Sequence, residues 1–312
     1  MKIAIVTIPG MLSKNDWVEL SNIADVEYVE KDKISTEELL NVLKDKDYLM
    51  MNLDVISGLT EEFYKEVKER NLPLKAISID STGATWAGPQ FAKQSGIALL
   101  NTPNFSTVSV AEFSFAQLLI LIKKIHLTFL DRQINHKEEV RENDILESKI
   151  LGIIGLGNIG QKMAKLGQGF GMSVVAYDRK PKQIVNVDQI SLEDVFKKAD
   201  YISVHLKTTD ETKGIVNETY LSKAKQGMIL INQADGPLVN NDDLLKYIQS
   251  EKIAGYATST HAVKGHPLEK EKNVVALPEQ AWFTEDSLAK LRKTWVENIL
   301  MAIEGKMQNI VS

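Results

Sequence analysis

A glycine-rich turn in the middle of the chain has the spacing of a phosphate-binding turn. Gly155, Gly157 and Gly160 form a G-x-G-x-x-G pattern between an apolar run and an amphipathic stretch. In such a turn the first glycine allows a tight bend and the second lets backbone amides approach a pyrophosphate. The third lets the following helix pack closely on the strand. Asp178 ends the next apolar run, where its carboxylate can bind both ribose hydroxyls of a dinucleotide.

The acid at position 178 also predicts which dinucleotide binds. A carboxylate there repels the 2′-phosphate of NADP, so the sequence favours NAD. Arg179, the next residue, could pair with that phosphate and weaken the preference. The predicted cofactor-binding residues of this segment are Gly155, Gly157, Asn158, Ile159, Gly160, Asp178 and Arg179.

Alternating apolar runs and helical patterns predict the elements that position this turn. After residue 148, ILGIIG, SVVAYD, YISVHL, MILINQ and IAGYAT are typical of buried parallel strands. They predict one doubly wound α/β domain. Before residue 101, KIAIVTI, DYLMMNL, LKAISID and GIALLN predict a smaller α/β domain. A long apolar helix is expected over 109–126, with Ser109 and Glu112 as its N-terminal cap.

The predicted architecture is discontinuous. Residues 1–100 together with 284–312 form a substrate domain, because the last amphipathic helix is expected to return to the first sheet. Residues 101–283 form the nucleotide domain, which is inserted in the chain of the other. A cleft between the two domains is the expected place for a substrate.

Composition and charge exclude several other classes. The 312 residues are 44% hydrophobic and 25% charged, with a net charge of −5 and no basic stripe, so a nucleic-acid partner is not expected. The chain has no cysteine, which excludes disulfides and thiolate zinc sites, and no histidine or carboxylate cluster has metal-ligand spacing. No apolar run is long enough for a membrane span. These features predict a cytoplasmic protein without metal.

Beyond the glycine turn, the sequence resembles the D-isomer-specific 2-hydroxyacid dehydrogenases. The resemblance lies in GIALLNTPNFSTVSVAEFSFAQLL, in HLKTTDETKGIVN, and in HPLEKEKNVVALP, and it covers roughly residues 74–283. It implies a Rossmann nucleotide domain inserted in a smaller flavodoxin-like domain, with NAD(H) as the cofactor. It also implies a small-molecule substrate and a homodimer built on the nucleotide domains.

Members of this family use an Arg that binds the substrate carboxylate, a His that exchanges a proton, and a Glu that holds the His. In INQADGPLVN the Arg position is occupied by Asp235, and in NVVALPEQA the His position is occupied by Glu279. The Glu position is reached through a loop of unusual length. Counting forward from Ser259 gives Lys264, whereas anchoring on HPL gives His266.

Other positions follow from the same resemblance. The family's substrate-carboxylate loop corresponds to the backbone amides of Thr82 and Gly83. His205, Gln233 and Ser259 are predicted at strand ends that face the cofactor, although His205 is equally plausible as a strand-end histidine whose hydrogen bonds are satisfied within the protein. Trp282, after the Glu279 loop, is either a lid residue or a packing residue, with packing favoured.

The replaced triad leaves two functions open. If Lys264 lies between Asp235 and Glu279, the three form a network of inverted charge, because a cation relieves the repulsion between two carboxylates. That network predicts an NAD-dependent oxidoreductase in which Asp235 binds a cationic group and Glu279 exchanges the proton. Amino or imino substrates then replace 2-hydroxy acids, unless His261 or His266 supports a weak ordinary activity. The alternative is an inactive NAD(H)-binding pseudoenzyme with a regulatory or assembly role.

Overall fold

A computed structural model describes residues 1–136, 140–234 and 236–312, and the side chains of residues 14–17, 134 and 135 are outside this description. Asp235 is therefore among the residues whose structure is not described. The chain divides into two compact units. Unit 1 comprises Met1–Phe105 and Thr284–Ser312, and unit 2 comprises Ser106–Phe283.

Unit 1 is built on a five-stranded parallel sheet with the order β2-β1-β3-β4-β5, which is the flavodoxin-like order. Each of the first four strands is followed by a helix of the same unit, and the buried strands are the continuous apolar runs that the sequence shows. The strands are β1 (Lys2–Thr7), β2 (Asp25–Glu30), β3 (Tyr48–Met51), β4 (Ala76–Ile79) and β5 (Ala98–Leu100); the helices are α1 (Lys14–Ser21), α2 (Thr36–Val42), α3 (Glu61–Glu69) and α4 (Pro89–Gln94).

Unit 2 is built on a seven-stranded parallel sheet. Helix α5 (Thr107–Ile122) and the short α6 (Ile125–Leu130) precede it. The chain then alternates through β6 (Ile150–Ile154), α7 (Asn158–Gly169), β7 (Ser173–Tyr177), β8 (Asp188–Gln189), α8 (Leu192–Lys198), β9 (Tyr201–Val204), α9 (Glu218–Leu221), β10 (Met228–Asn232), α10 (Asn241–Gln249), β11 (Ile253–Ser259), α11 (Thr260–Val263) and β12 (Val274–Leu277).

The strand order in unit 2 is β12-β11-β10-β9-β6-β7-β8, so the direction of winding reverses between β6 and β9. This is the doubly wound Rossmann order with one further edge strand, and such sheets bind ligands at the carboxyl ends of the strands beside the reversal. The predicted α/β fold with parallel sheets is therefore confirmed.

The last helix, α12 (Glu285–Ile303), returns to unit 1 and packs on β3 and β4. Its buried residues include Trp295, Val296 and Ile299, which join Ile3 and Ile5 of β1 in one apolar cluster. This face of the first sheet is thus covered by the C-terminal segment of the chain.

Helix α5 differs from its prediction at both ends. It begins at Thr107 after the N-cap residue Ser106 and ends at Ile122, because Lys124 takes a left-handed backbone conformation with φ of 52°. The predicted capping role of Ser109 and Glu112 is wrong, since both lie inside the helix. Among the described residues no single helix is long and apolar enough to cross a membrane. One pair of consecutive helices, Thr107–Ile122 and Ile125–Gln133, has the required length and composition together, but the two helices are bent by 67° relative to each other.

Candidate functional site

The glycine turn joins β6 to α7 at the reversal of the second sheet. Gly155 has a φ of 101°, and a Cβ there would lie 2.6 Å from the carbonyl oxygen of His205 at the end of β9. A Cβ on Gly160 would lie 2.0 Å from the carbonyl oxygen of Gly155. The positive φ of Gly155 suits the tight bend that the spacing predicts for the first position, and the close approach at Gly160 suits the helix packing that it predicts for the third.

Gly157 has a different environment. It is the N-cap residue of α7, its backbone φ is −67°, and a Cβ there would meet no atom within 4 Å. No side chain caps this helix end, where amide donors and the helix dipole favour an anion. The turn therefore offers an exposed backbone surface that fits the pyrophosphate of a dinucleotide. Asn158 and Ile159, also predicted to contact the cofactor, begin α7 beside this surface.

Asp178 follows β7 and lies against the glycine turn. Its Oδ2 accepts hydrogen bonds from the amide of Leu156 and from Nζ of Lys182, both at 2.8 Å, and its Oδ1 accepts one from the amide of Lys180 at 3.0 Å. Burial opposes ionisation of Asp178, but these hydrogen bonds outweigh burial and lower its pKa below the usual value. The carboxylate is therefore charged at neutral pH.

Two further predicted cofactor residues have partners of their own. The exposed Arg179 donates to Glu211 at 2.8 Å. Nε2 of the half-buried His205 lies 2.8 Å from the hydroxyl of Ser203. Burial lowers the pKa of His205 to about 4, so its ring is neutral at pH 7.

A cavity of about 160 Å³ lies beyond the carboxyl ends of β10 and β11. Gln233 follows β10 and Ser259 ends β11, so the parallel strands bring these two predicted residues to one edge of the sheet. Nε2 of Gln233 is buried without a hydrogen-bond partner in the described part of the chain, which leaves a donor for a ligand. The described lining residues are Val110, Asn232, Gln233, Ala234, Gly236, Ser259, Glu279, Ala281 and Trp282.

Glu279 brings a carboxylate to this cavity from the segment after β12. Among the described lining residues it is the one with a charged side chain, and none of them is Arg, Lys or His. Asp235 lies outside the described residues, although its neighbours Ala234 and Gly236 both line the cavity.

The predicted third member of the network is not with Glu279. Lys264 is exposed just after α11 and is not among the lining residues. The ion pairs within 1–136, 140–234 and 236–312 include none between Lys264 and Glu279. The predicted pairing of these two residues is therefore not formed, because the short helix α11 carries the chain past the cavity before Lys264 is reached.

The two alternative histidines lie outside the cavity as well. Nε2 of His266 lies 3.2 Å from Asp242, and its Nδ1 accepts the amide of Leu268, so the ring caps a short 3-10 helix. His261 is exposed and lines a separate groove beside Pro237. Neither imidazole lies beside Glu279.

Several lining residues were not predicted from the sequence. Val110 and Ala281 form part of the apolar wall of the cavity. Trp282, for which the sequence allows a lid or a packing role, also lines it. The hydroxyl of Ser109 donates to the carbonyl of Ala281 at 2.5 Å, so α5 holds the segment that follows Glu279. Residues 109 and 281 are 172 positions apart in the chain, so no local sequence pattern predicts this contact.

Thr82 and Gly83 belong to unit 1, where they follow β4. The hydroxyl of Thr82 donates to the carbonyl of Thr102 at 2.9 Å, and the side chain of Asn101 donates to the carbonyl of Thr82 at 2.8 Å. The amides of Thr82 and Gly83 donate to no group in the described chain, and no atom lies within 4 Å of a Cβ built on Gly83. These two amides are therefore available to an anion. No group of three or more metal-ligating side chains occurs within the described ranges.

Comparisons with known proteins agree on one family. The family model described as "D-isomer specific 2-hydroxyacid dehydrogenase, NAD binding domain" matches residues 115–281. A hydroxypyruvate reductase from Thermotoga maritima is 31% identical over 92% of this chain and 94% of its own. A hydroxypyruvate reductase from Blautia hydrogenotrophica is 29% identical over 97% and 96%.

One solved structure of similar fold is that of an enzyme with a different reaction. It is an acyclic imino acid reductase (Bsp5) in complex with NADPH and D-Arg. It superposes with a TM-score of 0.89 at 25% sequence identity and covers 100% of both chains.

Proposed function

The chain belongs to the D-isomer specific 2-hydroxyacid dehydrogenase family, and from this premise we propose that it is an NAD-dependent oxidoreductase acting on amino or imino compounds. The observation that carries the proposal is the charge of the unit 2 cavity. Glu279 supplies a carboxylate, and the described lining residues supply no guanidinium, ammonium or imidazole. Such a cavity favours a cationic group over a carboxylate.

The chemistry of an imine explains why these groups are dispensable. Reduction of a ketone needs a proton for the developing alkoxide, and therefore an acid such as a protonated imidazole. An iminium ion already carries its proton and its positive charge. NAD(H), when bound, supplies or accepts the hydride. As the hydride reaches the iminium carbon, the C=N π pair becomes the nitrogen lone pair, and a neutral amine results.

Glu279 acts on the nitrogen in both directions. Its negative charge stabilises the iminium ion and keeps it protonated, since an opposite charge favours the charged form of a group. In the direction of oxidation the substrate ammonium must lose a proton before hydride leaves, and Glu279 accepts that proton. That Asp235 binds the same cation stays a prediction from the sequence, since this residue lies outside the described ranges.

Two other observations support this assignment. The similarity to the acyclic imino acid reductase, at 25% identity over the whole chain, associates the fold with reduction of a C=N bond. In unit 1 the free amides of Thr82 and Gly83 suit a carboxylate, as the sequence predicts for residues that bind the acid group of a substrate. The predicted homodimer stays a prediction.

A second candidate is an NAD(H)-binding protein without catalysis. The absence of an imidazole or guanidinium from the described lining of the cavity favours it directly. The glycine turn would then serve a regulatory or assembly role, with the dinucleotide as its signal.

One set of assays separates the two candidates. NADH binding is measured by its fluorescence, and NADH consumption is followed with a panel of 2-oxo acids, each with and without ammonium or methylamine. We expect turnover that requires the amine. Glu279→Gln should lower kcat/KM by about a hundredfold or more, because the iminium loses its counter-charge.

The matched control is Gln280→Ala, since Gln280 is an exposed neighbour in the same loop and is not a lining residue. It should leave kcat/KM unchanged. Turnover of glyoxylate or hydroxypyruvate without amine, at a rate insensitive to Glu279→Gln, would overturn the proposal. NADH binding without turnover of any compound favours the second candidate.

A further inference from the structure

Lys182 occupies the place where the adenosine ribose of a dinucleotide would meet Asp178. Its Nζ donates to Oδ2 of Asp178 at 2.8 Å and to the carbonyl of Leu156 in the glycine turn at 2.8 Å. The side chain of Asp178 is 14% exposed and that of Lys182 is 31% exposed. The ammonium therefore neutralises the acid that would discriminate between NAD and NADP.

The hydrogen-bond capacity of Asp178 makes this contact consequential. A carboxylate has about four acceptor positions, and three are used by the amides of Leu156 and Lys180 and by Nζ of Lys182. A ribose diol that donates two hydrogen bonds needs one more position than remains. The amides are fixed by the backbone, so Lys182 is the partner that must leave when an unphosphorylated ribose binds.

We propose that Lys182 is a specificity-determining residue that lets this site accept the 2′-phosphorylated dinucleotide NADP(H) beside NAD(H). The proposal rests on the placement of the cofactor at the glycine turn. With NADP(H) the ammonium turns from Asp178 to the 2′-phosphate and offsets the repulsion between the phosphate and the carboxylate. With NAD(H) it is displaced, and the ribose hydroxyls take its place on Asp178.

Other basic residues near Asp178 are less suited to this role. Arg179 is held by Glu211 at 2.8 Å and both side chains are largely exposed. Lys180 contacts Asp178 through its backbone amide, and its side chain is exposed. Lys182 combines a direct contact with Asp178, a contact with the glycine turn and partial burial, where a charge-assisted hydrogen bond to phosphate is worth more than on the open surface.

The experiment measures binding, so it does not depend on finding a substrate. Dissociation constants for NADH and NADPH are obtained by fluorescence titration. Displacement by 2′,5′-ADP and by 5′-AMP isolates the adenosine end. For the wild type we expect NADH and NADPH affinities within about a hundredfold of each other. Lys182→Met should weaken the binding of NADPH and of 2′,5′-ADP by about tenfold, and it should leave the affinity for NADH unchanged or raise it.

Two further variants separate this role from a structural one. Lys182→Arg keeps the charge and should restore NADPH binding. Lys180→Met removes a nearby lysine whose side chain does not contact Asp178, and it should leave the ratio of the two affinities within about twofold of the wild type. Circular dichroism melting verifies that each variant is folded.

An unchanged affinity ratio in Lys182→Met, or an equal change in Lys180→Met, would overturn the proposal. A wild type that binds NADH and rejects NADPH would also overturn it. If neither dinucleotide binds, the cofactor placement fails and this inference fails with it. Failure to find a turnover substrate contradicts only the proposed reaction.

Discussion

Asp80 is a buried acid in unit 1 whose protonation is linked to folding. It follows β4, is 6% exposed, and accepts hydrogen bonds from the side chain of Asn52 and, at 2.8 Å, from the amide of Leu53. Burial raises the pKa of Asp80 from 3.8 to about 7, and the hydrogen bonds only partly oppose this effect. Between about pH 4 and pH 7, therefore, Asp80 is protonated in the folded protein and ionised in the unfolded chain.

We predict that this acid destabilises the protein progressively as the pH rises from about 4 to 7. In that window the folded state binds more protons than the unfolded state, so the free energy of unfolding falls with increasing pH. Asp80→Asn removes this dependence. Its free energy of unfolding, relative to the wild type, should rise over the window on the order of a few kcal/mol.

The measurement is denaturant unfolding at several pH values, followed by circular dichroism. The exposed Asp32 provides the control, because Asp32→Asn replaces a surface side chain and should change the free energy of unfolding by no more than about 0.5 kcal/mol. A difference for Asp80→Asn that stays constant between pH 4 and 7 would contradict the linkage.

At the residue scale the sequence predicted those features that depend on local spacing. Gly155, Gly160 and Asp178 lie within one strand–turn–helix–strand unit, and the structure brings them together as their spacing indicates. The prediction for Lys264 depends on a loop of unusual length, and the expected ion pair with Glu279 is not among those of the described chain. Lys182 lies beyond the residues that the turn pattern specifies, and only its contacts reveal its role.

At the scale of elements, α7 shows how small residues allow a helix to approach a strand. Its buried face consists of Gly160, Met163, Ala164 and Gly167, and a Cβ on Gly167 would lie 2.7 Å from the side chain of Leu151 in β6. Phe170 is the larger apolar residue just after this helix, but its side chain is 49% exposed and packs on Phe115. Hydrophobicity locates a helix face less well when glycine and alanine form it.

We predict that substitutions of two glycines at the start of α7 change different properties, stability in one case and NADH binding in the other. Gly160→Ala should lower the free energy of unfolding by about 1 to 3 kcal/mol, since the added methyl group overlaps the carbonyl oxygen of Gly155. Gly157→Ala should leave stability nearly unchanged, because its Cβ would meet open space at a φ that alanine accepts. It should nevertheless weaken NADH binding by about tenfold or more, because the methyl group occupies the phosphate position.

Thermal melting and NADH titration test both variants together. Gly169→Ala is the control within the same helix, since a Cβ there would also meet no atom within 4 Å and the residue is remote from the turn. It should alter neither property. Tight NADH binding by Gly157→Ala would exclude this turn as the pyrophosphate site.

Some strands are predicted by their own apolar sequence, whereas others form only because they pair with a neighbouring strand. The apolar runs of both sheets became strands, because strands buried on both faces must be apolar. Strand β2, with the sequence DVEYVE, lies at a sheet edge with its outer positions exposed. Strands β8 and β12 are the two edge strands of the second sheet and contain two and four residues. None of these three was predicted, since their conformation depends on the neighbouring strand more than on their own composition.

At the scale of the whole molecule, unit 1 is completed by a segment from the end of the chain. Trp295 of α12 is fully buried, and its Nε1 donates to the carbonyl of Ser78 in β4 at 2.8 Å. Asn298 donates to the carbonyl of Asn101 at 2.9 Å and accepts from Asn309 at 2.8 Å. The contacts of Trp295 with Ser78 and of Asn298 with Asn101 join residues of one unit that are 217 and 197 positions apart, so they form late in synthesis and close the first core.

We therefore predict that Trp295→Ala destabilises unit 1 and leaves dinucleotide binding by unit 2 intact. Truncation of a fully buried tryptophan costs about 3 to 5 kcal/mol, and here it also leaves the Ser78 carbonyl without its donor. Limited proteolysis should then cleave within residues 1–105 sooner than in the wild type. The NADH dissociation constant should stay the same, because the glycine turn belongs to the other unit.

Lys293→Ala, an exposed change on the same helix, is the matched control and should affect neither measurement. Equal protease resistance in Trp295→Ala and wild type would show that α12 does not hold the first core closed. Loss of NADH binding by a protein whose unit 2 fragments remain protease-resistant would show that the glycine turn depends on unit 1. The combined outcome thus decides whether cofactor binding is a property of the doubly wound sheet itself.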